Sequence, residues 1–222
     1  MKITILSLFP QMFEVFSHSI VGKARANNYV DIEVVNIRDF SNNKHNKVDD
    51  YPFGGGVGML MSVEPIYNSI NYVKRNLDGK VIYLGPRGST FNQDKARELS
   101  DNDHLIFLCG HYEGIDERSY KFIDEEISLG DFILTGGEMA AIPIIDSIVR
   151  LLSGVINEES LNSESFNNNL MDFPQYTRPR EFMGMSVPDV LLSGNHKEID
   201  KWRREESLKI TQKYKSYLLK DK

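Results

Sequence analysis

Two short runs, Val81–Leu84 (VIYL) and Leu105–Cys109 (LIFLC), carry almost no polar residue. A strand with one face in water alternates apolar and polar side chains. A strand without alternation needs cover on both faces, as in a parallel sheet wrapped by helices. The rest of the chain supplies that cover, because strand-like and helix-like runs take turns. Strands are expected at Ile3–Phe9, Val30–Ile37, Lys80–Pro86, His104–Gly110 and in the run that ends at Leu134. Helices are expected at Gln11–Asn27, with Met12, Val15, Phe16, Ile20 and Ala24 near one face, and at Val63–Asn76, with Ile66, Ile70 and Val73 inward. Gln93–Ser100 and Glu138–Leu152 complete the set. The expected fold is therefore an α/β domain over residues 1–153.

Two stretches break the alternation. Phe40–Ser62 is long, polar, then glycine-rich, which marks a loop that is either functional or disordered. Residues 154–169, including NEESLNSESFNNN, have little apolar content and read as a flexible interdomain linker. A small helical domain is expected over residues 170–222, with helices at Val187–Leu192 and Glu198–Leu219.

Bulk properties remove several function classes. The 222 residues are 41% hydrophobic and 26% charged, an ordinary globular composition. The single cysteine, Cys109, forbids an intrachain disulfide and fits a reducing, cytoplasmic setting. No run approaches the ~18 apolar residues of a membrane span. MKITILSLFP reads as a first buried strand rather than a signal peptide. The net charge is −6. Residues 170–222 nevertheless carry eleven basic against eight acidic side chains. A basic tail on an acidic body suits a nucleic acid held at one face, although mixed charge on a solvated helix reads the same way. No GxGxxG follows a strand, and GxxxxGK[ST], HExxH, CxxC and GxSxG are all missing. The five histidines are dispersed, so no metal site is expected.

Chemistry concentrates in Leu108–Ala141, where Gly110, Gly114, Gly130, Gly136 and Gly137 punctuate two loops. Glycine beside a strand weakens it unless a turn or a close approach needs the missing side chain. The runs GHYEGIDER from Gly110 and GDFILTGGE from Gly130 closely resemble the bacterial tRNA (guanine-N1)-methyltransferases of the SPOUT class. YPFGGGVGMLM from Tyr51, LMDFPQYTRP from Leu170 and VLLSGNHKEIDKWR from Val190 share the resemblance, in the same order. Two departures stand out: His111 lies where some relatives have Arg, and Arg87 follows Pro86 where Gln is more familiar.

The resemblance implies a deep trefoil knot and methyl transfer from S-adenosylmethionine to N1 of the guanosine at tRNA position 37. It implies one cofactor wall of Gly110, Tyr112, Glu113 and Gly114. The other would be Leu129, Gly130, Asp131, Phe132, Ile133 and Leu134 with Gly136 and Gly137, and Pro86 would sit on a third loop. Asp172 matches the general base. Read alone, it is better taken as an N-cap or turn residue before Phe173–Pro174, and the resemblance reverses that preference. Arg150 matches a cation near guanine O6, and it also stands four residues from Asp146 on one helix. Lys44, His45, Arg178, His196 and Arg203 are RNA-contact candidates, each with a solvated-surface alternative. Asn195 and His196 equally suit a helix cap, and Trp202 reads as a core anchor of the small domain. The resemblance further implies a homodimer with a shared site, and magnesium dependence without a protein-ligand cluster. The competing readings are a SPOUT enzyme for another RNA position, such as a ribose 2′-hydroxyl, and a non-catalytic RNA-binding protein.

Overall fold

The computed structural model describes residues 1–157, 160–161 and 164–219. Two compact units divide the chain, Met1–Ile156 and Asn157–Lys222.

In the first unit five parallel strands form one sheet, ordered β2-β1-β6-β5-β7. They are β1 (Lys2–Ser7), β2 (Asp31–Asn36), β5 (Lys80–Thr90), β6 (His104–Cys109) and β7 (Glu125–Ser128). The helices are α1 (Ser19–Ala26), α2 (Val63–Asn76), α3 (Gln93–Ser100) and α4 (Gly137–Val149). Every residue of β6 is buried. Leu105, Phe107 and Cys109 join one core, and Ile106 and Leu108 join the other. Ile82 and Leu84 of β5 divide from Val81 and Tyr83 in the same way. The two cores explain the continuous apolar runs, since each side chain meets its own helix layer. Burying each Leu, Ile or Phe stabilises by about 1.5–3 kcal/mol.

Three local expectations are corrected. Gln11–Asn27 is not one helix: a 3-10 segment, Pro10–Ser17, gives way to α1 across His18 in extended conformation and Ser19 at φ 56°. The residues that bury are Phe13, Phe16, Val21 and Ala24. Positions five apart do not share a helix face, so the break lets both halves reach one core. Gly22 permits it, because a Cβ there would lie 2.5 Å from the Ser17 carbonyl oxygen.

The strand expected to end at Leu134 stops at Ser128. Gly130, at φ +156°, turns the chain, and the Phe132 N–H donates to its carbonyl at 2.9 Å. Phe132, Ile133 and Leu134 are exposed on that loop, so their apolar character imitates a strand without being buried in one. Beside β7, β5 runs past Pro86 to Thr90, with a register shift between Leu84 and Ser89.

Phe40–Ser62 is a closed arm rather than a plain loop. Its base pairs β3 (Asp49–Asp50) with β4 (Leu60–Met61), and its tip carries Gly54, Gly55, Gly56 and Gly58, all at positive φ.

The second unit holds a two-stranded ribbon, β8 (Glu181–Phe182) with β9 (Met185–Ser186), turned by Met183 and Gly184 at positive φ. An all-helical domain lacks this element. A 3-10 turn, Asp189–Leu192, stands where the Val187–Leu192 helix is expected. The long helix α5 spans His196–Tyr214, and a 3-10 turn follows at Ser216–Leu219. Asn195 caps α5 by accepting from the Glu198 N–H, as its residue type favours. Trp202 is half-buried and packs against Tyr176, with ring centroids 6.4 Å apart. Of the expected linker, residues 158–159 and 162–163 lie outside the described residues.

Candidate active site

Three loop segments meet around a cleft of about 260 Å³: the irregular stretch within β5 where its register shifts, and the connections that follow β6 and β7. Open parallel sheets present their crevices at the C-terminal ends of their strands. The first loop brings Gly85 and Pro86, and the second brings Gly110 to Gly114. The third brings Leu129, Gly130, Phe132, Ile133, Leu134, Gly136 and Gly137. Of the expected cofactor residues only Asp131 is not part of the lining.

Glycine is needed here for stated reasons. A Cβ at Gly137 would lie 2.7 Å from the Gly110 nitrogen and 2.9 Å from Cys109 Cα. The Gly137 N–H donates to the Gly110 carbonyl at 2.7 Å. Two main-chain segments thus touch with no side chain between them. A Cβ at Gly110 would lie 2.8 Å from the Tyr83 ring and hydroxyl. Between these glycines Tyr112 holds φ +61° and Gly114 φ +127°, which bends the second loop around the cleft.

Sequence reasoning missed Tyr83 and His111, both of which line the cleft. Tyr83 looks like one more strand residue until Gly110 makes room for its ring. Burial, aided by Tyr120 and Glu126, pushes its phenol well above the ordinary value, so it stays neutral. His111 tilts against Phe9 and Tyr112, with centroids 4.9 and 5.0 Å away. Its buried Nδ1 has no hydrogen-bond partner among the described residues. Nearby Glu138 is only 1% exposed and accepts a 2.8 Å bond from the Ser7 hydroxyl. Burial also pushes the Cys109 thiol well up, which leaves it unsuited to nucleophilic work.

The glycine arm is tied to the second loop by main-chain bonds. Glu113 N–H donates to Met59 O at 3.1 Å, Met61 N–H to Gly114 O at 2.9 Å, and Asp116 N–H to Met61 O at 2.9 Å. Lys44 and His45 are exposed on this arm. Arg150, half-buried, is the C-cap of α4, and its N–H donates to the Asp146 carbonyl at 3.1 Å.

The remaining candidates belong to the second unit. The Asp172 carboxylate accepts from its neighbour Phe173 N–H at 2.7 Å and from Gln175 Nε2 at 2.8 Å. The segment around Asp172 is irregular, with no turn assigned at residues 171–177, so these two bonds are local and do not form the turn expected of an aspartate before Phe173–Pro174. Arg178 and His196 are exposed. The Arg203 guanidinium lies 4.9 Å from the Phe173 ring centre. Among the described residues no group of three or more His, Cys, Asp or Glu is placed to hold a metal ion. No helix there is long and apolar enough to cross a membrane.

The family model described as tRNA (Guanine-1)-methyltransferase TrmD matches residues 1–221. The chain belongs to this family. Similar relatives carry the same functional description, tRNA (guanine-N(1)-)-methyltransferase. The Clostridium beijerinckii protein is 62% identical over 221 residues, covering 99% of this chain and 92% of the relative. A Clostridium botulinum protein (strain Eklund 17B) is 61% identical across 100% of this chain and 93% of its own length. A Clostridium perfringens protein (strain SM101) is 62% identical over 95% and 90% respectively.

Proposed function

We propose that this member of the tRNA (guanine-N1)-methyltransferase family takes its methyl group from S-adenosylmethionine bound in the three-loop cleft, and delivers it to the guanosine at position 37. The observation that carries the donor site is the glycine-walled crevice, with main chain from Gly110 and Gly137 in contact at its back. Such a crevice offers N–H and C=O groups at short range beside the apolar Leu129, Phe132 and Leu134. That combination suits a purine ring. The orphaned His111 Nδ1 is a further polar group for a bound partner. When bound, the donor supplies a methyl on a positively charged sulfur, already activated for displacement.

The chain's own residues have two tasks. Guanine N1 carries a proton at neutral pH, and negative charge gathers on O6 as that proton leaves. Asp172 takes the N1 proton, with Phe173 N–H and Gln175 holding its carboxylate in orientation. Arg150 stands against the charge on O6. With the donor bound, the N1 lone pair that Asp172 frees would take the methyl carbon as the carbon–sulfur bond breaks, leaving a neutral thioether. Lys44, His45, Arg178, His196 and Arg203 contact tRNA, mostly at phosphates, which fix register rather than sequence.

Three further features belong to this reading. The touching main chain at Gly110 and Gly137 supports a knotted crossing. The site is shared in a homodimer, with Asp172 arriving from the subunit opposite the cofactor across residues 154–169. The enzyme works in the cytoplasm and depends on magnesium, so chelation by EDTA is expected to stop turnover and added magnesium to restore it.

The test is to incubate the protein with an unmodified tRNA transcript and methyl-labelled S-adenosylmethionine, then map the modified base. Label at N1 of guanosine 37, lost when that base is changed, is the expected result. Label that survives the change would sink the reading.

A further inference from the structure

Arg87 has more partners than an ordinary surface cation. It lies in the irregular stretch of β5, next to Pro86 of the cleft lining. Its guanidinium grips Glu117 with two teeth, NH1 to Oε1 at 3.3 Å and NH2 to Oε2 at 3.1 Å. The same group lies 4.0 Å from the centre of the Tyr120 ring. Its Nε is 3.8 Å from Glu126 Oε2, and its own N–H donates to Glu126 Oε1 at 2.9 Å.

These partners lie on segments that adjoin different walls of the cleft. Glu117 and Tyr120 sit on the 3-10 segment Glu117–Phe122, directly after the Gly110–Gly114 loop. Glu126 lies on β7, just before the third loop. Tyr120 meets Tyr83 edge to face at 5.6 Å, and Tyr83 is the ring that Gly110 makes room for. One side chain on the first segment therefore contacts the segments adjoining the other two walls.

We propose that Arg87 is a positioning residue: it clasps the three loops and sets the width of the cofactor cleft without touching the reacting atoms. An isolated exposed ion pair would do little, and here the side chains of Arg87 and Glu117 are 56% and 76% exposed. The clasp differs in being two-toothed, stacked on a ring, and shared with Glu126, which is 12% exposed. Lysine reproduces the charge but neither the fork nor the flat stack.

The inference rests on the cleft being the S-adenosylmethionine site, and the experiment separates the two claims. Calorimetric titration with S-adenosylhomocysteine, together with KM and kcat for S-adenosylmethionine, is run on wild type, Arg87→Ala, Arg87→Lys, Glu117→Gln and Arg87→Ala/Glu117→Gln. Wild type is expected to bind. Arg87→Ala should weaken affinity and raise KM about tenfold, with kcat within twofold and an almost unchanged melting temperature. Arg87→Lys should fall between the two, and the double variant should be no weaker than Arg87→Ala alone. Affinity unchanged in Arg87→Ala, additive losses in the double variant, or a loss of kcat that tracks melting temperature each overturn the clasp while leaving the function intact. A wild type that binds no S-adenosylhomocysteine overturns both.

Discussion

The two units solve the problem of holding a ligand in opposite ways. The cleft of the first unit is built of main chain, at Gly110, Gly114, Gly136 and Gly137, on strands whose side chains are buried on both faces. The second unit buries little among its described residues, chiefly Ile199, Ser207 and Thr211. Its functional candidates are side chains on irregular segments and on one helix. A main-chain wall is formed once the sheet is formed. A carboxylate on an irregular segment can be aimed afresh by whatever binds beside it. The contrast fits a rigid donor site paired with an adaptable acceptor site, so substitutions in the two units should fail differently.

The largest effect is expected at Asp172. Asp172→Ala should lower kcat at least about 100-fold, the usual scale for a general base, with cofactor affinity within twofold. Rapid-quench methyl transfer beside calorimetry checks it, and parallel losses of both would erase the contrast between the units. Gly137→Ala should do the reverse damage. The added Cβ meets backbone at 2.7 Å, so it should cost about 1–3 kcal/mol of stability and remove cofactor binding, read by urea unfolding and titration. Wild-type affinity in that variant would show that the wall is softer than its geometry.

Ser7→Ala comes next. It removes the hydroxyl that donates to buried Glu138 and accepts from the Phe9 N–H at 2.8 Å. A loss of about 1–3 kcal/mol in urea unfolding is expected, with tRNA affinity unchanged. The smallest effect concerns Glu125, between Lys80 at 2.7 Å and Lys95 at 2.9 Å. Burial opposes its charge, but the bonds from the two lysines outweigh that and hold its carboxyl below the ordinary value. A carboxyl whose folded pKa is depressed contributes stability above the unfolded value, about 4.3, and loses that contribution as pH falls through the folded one. Glu125→Gln should therefore cost about 1 kcal/mol or less at pH 7, and that cost should vanish as pH falls through the depressed folded value, measured by thermal melts across pH.

Much of the first unit was legible before any coordinates, for a physical reason. Strands covered on both faces leave continuous apolar runs, and Val81–Leu84 and Leu105–Cys109 are such runs. Helical periodicity reported the buried face of α2 equally well, since Ile66, Ile70 and Val73 all pack inward. Periodicity could not report the break at His18–Ser19, which depends on how closely Gly22 meets Ser17. It also misread Phe132–Leu134, because an apolar rim around a ligand site has the composition of a strand. The glycines of the cleft were readable from their number and order. Tyr83, His111 and Arg87 were not, since each matters through partners distant in sequence: Gly110 for the first, Phe9 and Glu138 for the second, Glu117 and Glu126 for the third.

The contact between Gly110 and Gly137 has a pharmacological consequence. Resistance to a competitive inhibitor commonly arises when a side chain that grips the drug is trimmed or exchanged. At these two positions there is nothing to trim, and any exchange adds an atom where backbone or the Tyr83 ring already lies. A compound that takes its hydrogen bonds from this stretch of main chain leaves the enzyme few single-codon escapes. One that leans on exposed Phe132 or Ile133 leaves it many.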